Sequence, residues 1–525
     1  MGHPAATAAG QAGSLKLKTV FRNARVLVMD AADTELAMAT VVVEGDCITH
    51  VILPNDSGAG AAAAVAGASS LDREIDARGH LLMPGLINGH FHSSVNDLKG
   101  SLDSLPLEIF MLFESPASGA AVAPRAAYIR TLLGALEMLR GGVTCVLDDA
   151  FFVPTPNPAV IDAVMQAYYD CGMRATLALD QPNVPEIDKL PFLRELLPPH
   201  LLARASQPAP MDCAGLLSCY EHLIGRWHDR AGGRLRAAVS CSAPQRVTRE
   251  YFEALDELSR RDNLPFYVHI LETRLQRVLG QENFGGRSLI QYVHQLGLLS
   301  ERLNIIHGIW IDETDMDLIA SAGSVVAHNP ISNLRLGSGI MPFRKLRQRG
   351  IPICLGSDEA IADDATSMWG VAKTAGLIHN LSHPDYEQWP SAREVLDCLI
   401  RGGARAVRSP RPLGQIAAGY QADMVMLDLD TLAFTPLNDL RRQLVYCENG
   451  SSVKLTMVAG RVVYENNRVT GIDERLVRAE AREIAARARA QMAGTDAAEW
   501  LPYYRQMYLQ AAQRDIGMNR RAGEG

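Results

Sequence analysis

A chain of 525 residues, 47% hydrophobic and 21% charged, is too long for one ordinary core and reads as a large globular domain with a smaller companion. Its formal net charge of -8 lacks the clustered Lys and Arg of a nucleic-acid footprint, and no stretch reaches the roughly 18 apolar residues of a membrane span, so neither nucleic acid nor membrane is expected as a partner. Nine scattered cysteines without a CxxC pair exclude a thiolate zinc site and a disulfide framework, and fit a reducing, cytoplasmic setting.

In chain order, residues 1–18 form a small polar lead without the apolar core of a signal peptide. RNARVLVMD, MATVVVEGD and CITHVILP then alternate apolar and polar residues, as short antiparallel strands do, before the low-complexity run GAGAAAAVAGASS. Eight apolar runs follow, each succeeded by a helical pattern: LLMPGLINGHFH, GVTCVLDDA, MRATLALD, LRAAVSCSA, LPFYVHIL, LNIIHGI, SVVAHNP and IPICLGSD. Strand-helix alternation implies a parallel sheet with right-handed crossovers, and eight units is the number that closes a TIM-type (β/α)8 barrel. An open doubly wound sheet is disfavoured because GLINGHFH lacks a Gly-rich phosphate turn. Strand texture returns in QADMVMLDLD and VKLTMVAGRVVYENNRV, and DERLVRAEAREIAARARAQM and the stretch around Trp500 to Gln513 are amphipathic helices. The expected division is a composite β-sandwich from 19–82 and 412–470, an α/β barrel over 83–411, and a helical extension over 471–525.

His90 and His92, two apart on one strand, point to the same face. Such a pair is a weak motif alone, but His269, His307, His328 and Asp358 also stand at the carboxyl ends of the fifth to eighth runs, the barrel face where catalytic groups converge. His90, His92, His269 and Asp358 offer three imidazoles and a carboxylate, a donor set for one divalent ion, zinc first and ferrous iron second. A second ion needs a bridging anion, and VSCSAP at the end of the fourth run supplies neither Lys nor carboxylate. Glu272, three residues past His269, is placed to take a proton from an activated water and return it to a leaving amine. His307 is either a donor that stabilises charge on the substrate or a fourth imidazole ligand, and Asp358 has one oxygen for the ion and one for a proton.

The stretches MPGLINGHFH, GGVTCVLDD, VHILET, the block from IIHGIWIDETDMD through IPICLGSD, and AAGYQADMVMLD together resemble the amidohydrolase superfamily over about residues 20 to 470. The similarity is to its branch of cytosine, guanine and S-adenosylhomocysteine deaminases and triazine chloro- and aminohydrolases. The resemblance implies that His90, His92, His269 and Asp358 are metal ligands, Glu272 the proton shuttle and His307 the polarising histidine. It also implies a split β-sandwich and the hydrolytic deamination of a small nitrogen heterocycle, with hydrolysis of an amide, urea or carbamate as the alternative. A homo-oligomer is expected, and a barrel kept as a structural or assembly module without turnover is disfavoured, because every ligand type is present.

The chain departs from that pattern after Asp358, where Glu359, Ala360, Asp363 and Asp364 replace a Gly and an Asn-rich turn. Glu359 is therefore a candidate for recognising a cationic substrate, against the plainer reading of a solvated acidic loop. Gln245 and Trp310 are candidate pocket residues by position. Phe110, Met111 and Phe113 belong either to a pocket wall or to plain packing, and the long Pro-rich loop 181–212 is a lid or an oligomer contact.

Overall fold

A computed structural model describes residues 17–56, 73–114, 121–492 and 497–521, with only the backbone described over 488–492. Most of the polar lead and all of the GAGAAAAVAGASS run lie outside these residues. The strands are β1 Lys18–Leu27, β2 Glu35–Glu44, β3 Cys47–Ile52, β4 Arg73–Asp76, β5 His80–Pro84, β6 Leu86–His92, β7 Val143–Ala150, β8 Arg174–Leu179, β9 Leu235–Ala237, β10 Val239–Ser240, β11 Phe266–Ile270, β12 Leu303–His307, β13 Val325–His328, β14 Ile353–Leu355, β15 Asp358–Glu359, β16 Met424–Asp428, β17 Val453–Val458, β18 Arg461–Glu465 and β19 Arg468–Val469.

Both chain ends contribute to one nine-stranded sheet, in the order β19-β18-β17-β16-β5-β1-β2-β3 with β4 paired to β1. Its own core of Phe21, Val26, Val41, Ile48, Met424, Leu455 and Met457 explains the alternation in these strands. The strands hydrogen-bond as one continuous sheet.

The middle of the chain forms two five-stranded parallel ribbons, β15-β6-β7-β8-β9 and β10-β11-β12-β13-β14. Strands β6, β7, β8 and β11 are buried at every position, as expected for parallel strands covered on both faces. One apolar cluster draws a side chain from each of the eight runs: Ile87, Cys145, Ala178, Ala238, Tyr267, Ile306, Ala327 and Cys354. Three runs are split between sheets. The first divides at Gly85, giving β5 to the nine-stranded sheet and β6 to a ribbon, and a Cβ at Gly85 would stand 2.1 Å from Thr144. The fourth gives β9 and β10, and the eighth gives β14 and β15, so each of these runs joins one ribbon to the other.

Helix starts follow local sequence. Thr248 and Ser288 cap Arg249–Asp262 and Leu289–Gln295, and Asp312 forms a reciprocal capping box with Asp315 at the head of Glu313–Ala322. A buried bidentate pair, Arg174 Nε to Asp423 Oδ2 at 2.7 Å and Nη2 to Oδ1 at 2.9 Å, ties the start of β8 to the residue before β16. Removing one partner of such a pair strands a buried charge, at a cost of about 3–5 kcal/mol. The 181–212 loop carries structure of its own, a 3-10 turn at Glu186–Asp188 and short helices Leu193–Leu196 and Pro199–Ala205. Among the described residues no helix is long and apolar enough to cross a membrane.

Candidate active site

His90 and His92 end β6, His269 lies in β11, His307 ends β12 and Asp358 opens β15, so strands from four different runs bring these side chains to one place. The imidazole centroids of His90 stand 4.6 Å from His92 and 5.0 Å from His269, with His92 and His269 5.4 Å apart. Asp358 Oδ1 is 3.3 Å from His90 Nε2 and 3.5 Å from His92 Nε2, while Oδ2 is 3.7 Å from His307 Nε2. His307 and Asp358 both have left-handed backbones, at φ 70° and 62°. That conformation costs a non-glycine residue about 1–2 kcal/mol, a strain found where side chains must be aimed.

The outer nitrogens of three rings are committed. His92 Nδ1 meets Asp149 O, His269 Nδ1 meets Ser242 O at 2.9 Å, and His307 Nδ1 meets Asn333 Oδ1 at 2.9 Å. Carbonyl oxygens only accept, so each Nδ1 carries a proton; His92 and His269 then offer a lone pair at Nε2, whereas His307 Nε2 faces the carboxylates of Glu272 and Asp358 at 3.5 and 3.7 Å and is a donor when it too is protonated. This is the arrangement by which outer hydrogen bonds orient metal-binding histidines. His90 Nε2 is buried and has no hydrogen-bond partner among the described residues, a cost that a ligand removes. Burial lowers the His90 pKa to about 4 and that of His269 well below its usual value, which keeps both rings neutral. Burial opposes ionisation of Asp358, yet His90, His307 and His92 together hold its carboxyl well below the ordinary range. Three neutral imidazole nitrogens and one carboxylate fit a divalent cation. Three groups have ligand atoms within 4.8 Å of one another: His90 with His92 and Asp358, His90 with His269 and His307, and His92 with Asp180 and His269.

Two carboxylates that sequence reasoning passed over stand behind these rings. Asp149 Oδ2 is 3.9 Å from His269 Nδ1 and Asp180 Oδ2 is 4.0 Å from His92 Nδ1. They end the second and third runs, so the positional rule that nominated the histidines would have found them too. Burial pushes Asp149 well above the usual carboxylate range. Asn333, which orients His307, lies in the SNLRLG stretch on the helix Pro330–Arg335 and carried no signal of its own.

Glu272 Oε2 is 3.5 Å from His307 Nε2, and Ser338 Oγ donates to Oε1 at 3.4 Å. Burial raises the Glu272 carboxyl to about 7, the range in which a group both accepts and returns protons near neutral pH. The cavity outside the site measures about 570 Å³. Its wall is drawn from Glu108, Met111 and Glu114, from Ser242, Arg246 and Glu359, from the 181–212 loop, and from Trp500 and Tyr504 of the helix Ala497–Gln513.

The remaining sequence candidates divide. Glu359 and Met111 line the cavity. Phe110 is buried against Val95, Leu336 and Ile361. Gln245 is buried with Oε1 unpartnered but is not among the lining residues. Trp310 is also absent from the lining: its Nε1 donates to Ser338 O at 2.7 Å and Arg274 stacks on its ring. The acidic run separates as well, because Asp364 leaves the cavity to pair with Arg335 at 2.7 Å.

The chain belongs to the amidohydrolase family, whose model matches residues 81–463, and is a hydrolase of that family. It is 32% identical to a 5-methylthioadenosine/S-adenosylhomocysteine deaminase of Nitratidesulfovibrio vulgaris over 86% of this chain and 94% of that protein. It is 28% identical to a 5'-deoxyadenosine deaminase of Methanosarcina mazei over 89% of this chain and 97% of that one. Among solved structures, an adenosine deaminase from Xanthomonas campestris with bound zinc superposes with a TM-score of 0.77 at 26% identity, covering 90% of this chain and 98% of that one.

Proposed function

We propose that the protein deaminates an adenine-type nucleoside or related amino-heterocycle hydrolytically, using one zinc ion held by His90, His92, His269 and Asp358. The observation that carries this reading is the convergence of those rings and the Asp358 carboxylate around the unpartnered His90 Nε2. The zinc in the Xanthomonas deaminase and the names of the two relatives support it. The continuity of the fourth and eighth runs between ribbons, and the cluster built from all eight, support a closed (β/α)8 barrel with a composite β domain from both chain ends.

A bound divalent ion supplies Lewis acidity and lowers the pKa of water from 15.7 toward 7. Glu272 accepts a proton as the water oxygen adds to the ring carbon bearing the amino group. His307, fixed by Asn333, faces the same space and stabilises the charge that develops on the ring. Glu272 then returns the proton to the exocyclic nitrogen, the carbon-nitrogen bond breaks, and ammonia leaves. Asp358, kept ionised, accepts the remaining proton of the attacking water with Oδ2, and that proton ends on the ring nitrogen, so that a neutral carbonyl product and ammonia leave and both carboxylates are regenerated.

The test is ammonia release from adenosine, 5'-deoxyadenosine, 5'-methylthioadenosine, cytosine, guanine, an aminotriazine and an aryl urea. Ammonia from at least one adenine nucleoside with kcat/KM above roughly 10⁴ M⁻¹s⁻¹ is expected, the lower range of ordinary enzymes. Turnover of the urea alone would assign amide-bond hydrolysis and overturn deamination.

A further inference from the structure

We infer that the outer cavity is built for a cationic amine carried by the substrate, received by the carboxylates of Glu108, Glu114 and Glu359. The inference rests on the deaminase reading for the position of the ring and adds what lies beyond it.

Glu108 and Glu114 sit at 4% and 7% exposure in the helix Leu107–Glu114, and both line the cavity. Glu108 spends Oε1 on the Thr273 hydroxyl, whereas its Oε2 has no partner among the described residues. Glu114 Oε1 is unpartnered in the same way. Glu359 reaches the same wall from β15, and its carboxyl lies against that of Glu114. Buried carboxylate oxygens without donors are costly, and pairing two acids side by side increases the cost. Burial, the largest influence, raises the Glu114 carboxyl above the ordinary carboxylate range.

The cations of the wall do not cancel this charge. Lys189 bonds Glu186 at 2.7 Å and Arg204 bonds Glu499 at 2.9 Å. Arg246 reaches Met111 Sδ at 3.1 Å and Ser242 Oγ at 3.5 Å, so that its charge acts on Glu108 and Glu114 without bonding either. A primary ammonium presents three donors in a compact head, which suits two free carboxylate oxygens and a shared acid pair. The acids open onto the cavity beside Asp358, so the amine belongs on the substituent that points out of the site rather than on the ring that reacts.

The probes are 5'-amino-5'-deoxyadenosine, protonated at neutral pH, and 5'-deoxyadenosine, which lacks only that amine. Calorimetric Kd and kcat/KM for ammonia release are measured on both with the full-length, metal-loaded protein. Tighter binding of the amine by about thirtyfold is expected, the effect of one or two charge-assisted hydrogen bonds. Glu114→Gln should cut that preference below threefold, and Glu108→Gln and Glu359→Gln repeat the test from separate anchor points should the first variant fold poorly. Equal Kd values for the two nucleosides, or a preference that all three variants leave intact, would overturn the amine site. Ammonia from neither nucleoside, with the binding preference retained and lost in the variants, would overturn deamination and leave the amine site standing.

Discussion

Replacing Glu272 by Gln is expected to lower kcat about a thousandfold, a barrier increase of about 4 kcal/mol, while the protein keeps its metal. The amide preserves the shape of the side chain and can still bond Ser338 and face His307, which hold the carboxylate at 3.4 and 3.5 Å. It cannot carry a proton from water to the leaving nitrogen. The backbone N–H of Glu272 bonds Gln276 Oε1 at 2.9 Å whichever side chain is present, so the loop keeps its course. Ammonia release and metal content measured on the same preparation check both halves. A variant retaining more than a tenth of the parent rate would remove Glu272 from the proton path.

Replacing His269 by Ala should abolish detectable turnover and metal retention together. Its Nδ1 is tied to Ser242 O, and its ring stands 5.0 Å from His90 and 5.4 Å from His92, so the substitution removes one of the converging ligand nitrogens from the centre of the group. An ion that binds only the folded chain stabilises it by about 4 kcal/mol when present at a thousand times its Kd. The parent protein should therefore lose thermal stability on chelation, and the variant should show no such loss. A variant whose Tm still falls on chelation, with an equivalent of metal bound, would mean that the ion is held elsewhere.

Much of this centre is legible in the sequence because parallel strand-helix units convert position along a run into position in space. Residues that end apolar runs arrive at one face, which is why His90, His92, His269, His307 and Asp358 stand out before any coordinates are known. The same geometry hides other features. The break at Gly85 is set by the close approach of Thr144, a long-range contact that local alternation does not encode. At Gly356 a Cβ would meet Asn329 Oδ1 at 2.4 Å and the His90 backbone nitrogen at 2.8 Å, so the eighth run turns between β14 and β15 for a reason that lies on other strands. Trp310 follows a positive-φ Gly308, and the turn sends its indole toward Ser338, against the direction its place after His307 suggested. The pocket wall was least legible of all, since Trp500 and Tyr504 reach the cavity from the far end of the chain.

The reading as a whole depends on a single ion shared by side chains nearly 270 positions apart, from His90 to Asp358. Elemental analysis of the purified protein, before and after exhaustive chelation and with ammonia release followed in parallel, tests that dependence most directly. About one equivalent of zinc per chain is expected, with activity lost on its removal and restored on its return; full activity in metal-free protein would contradict the account.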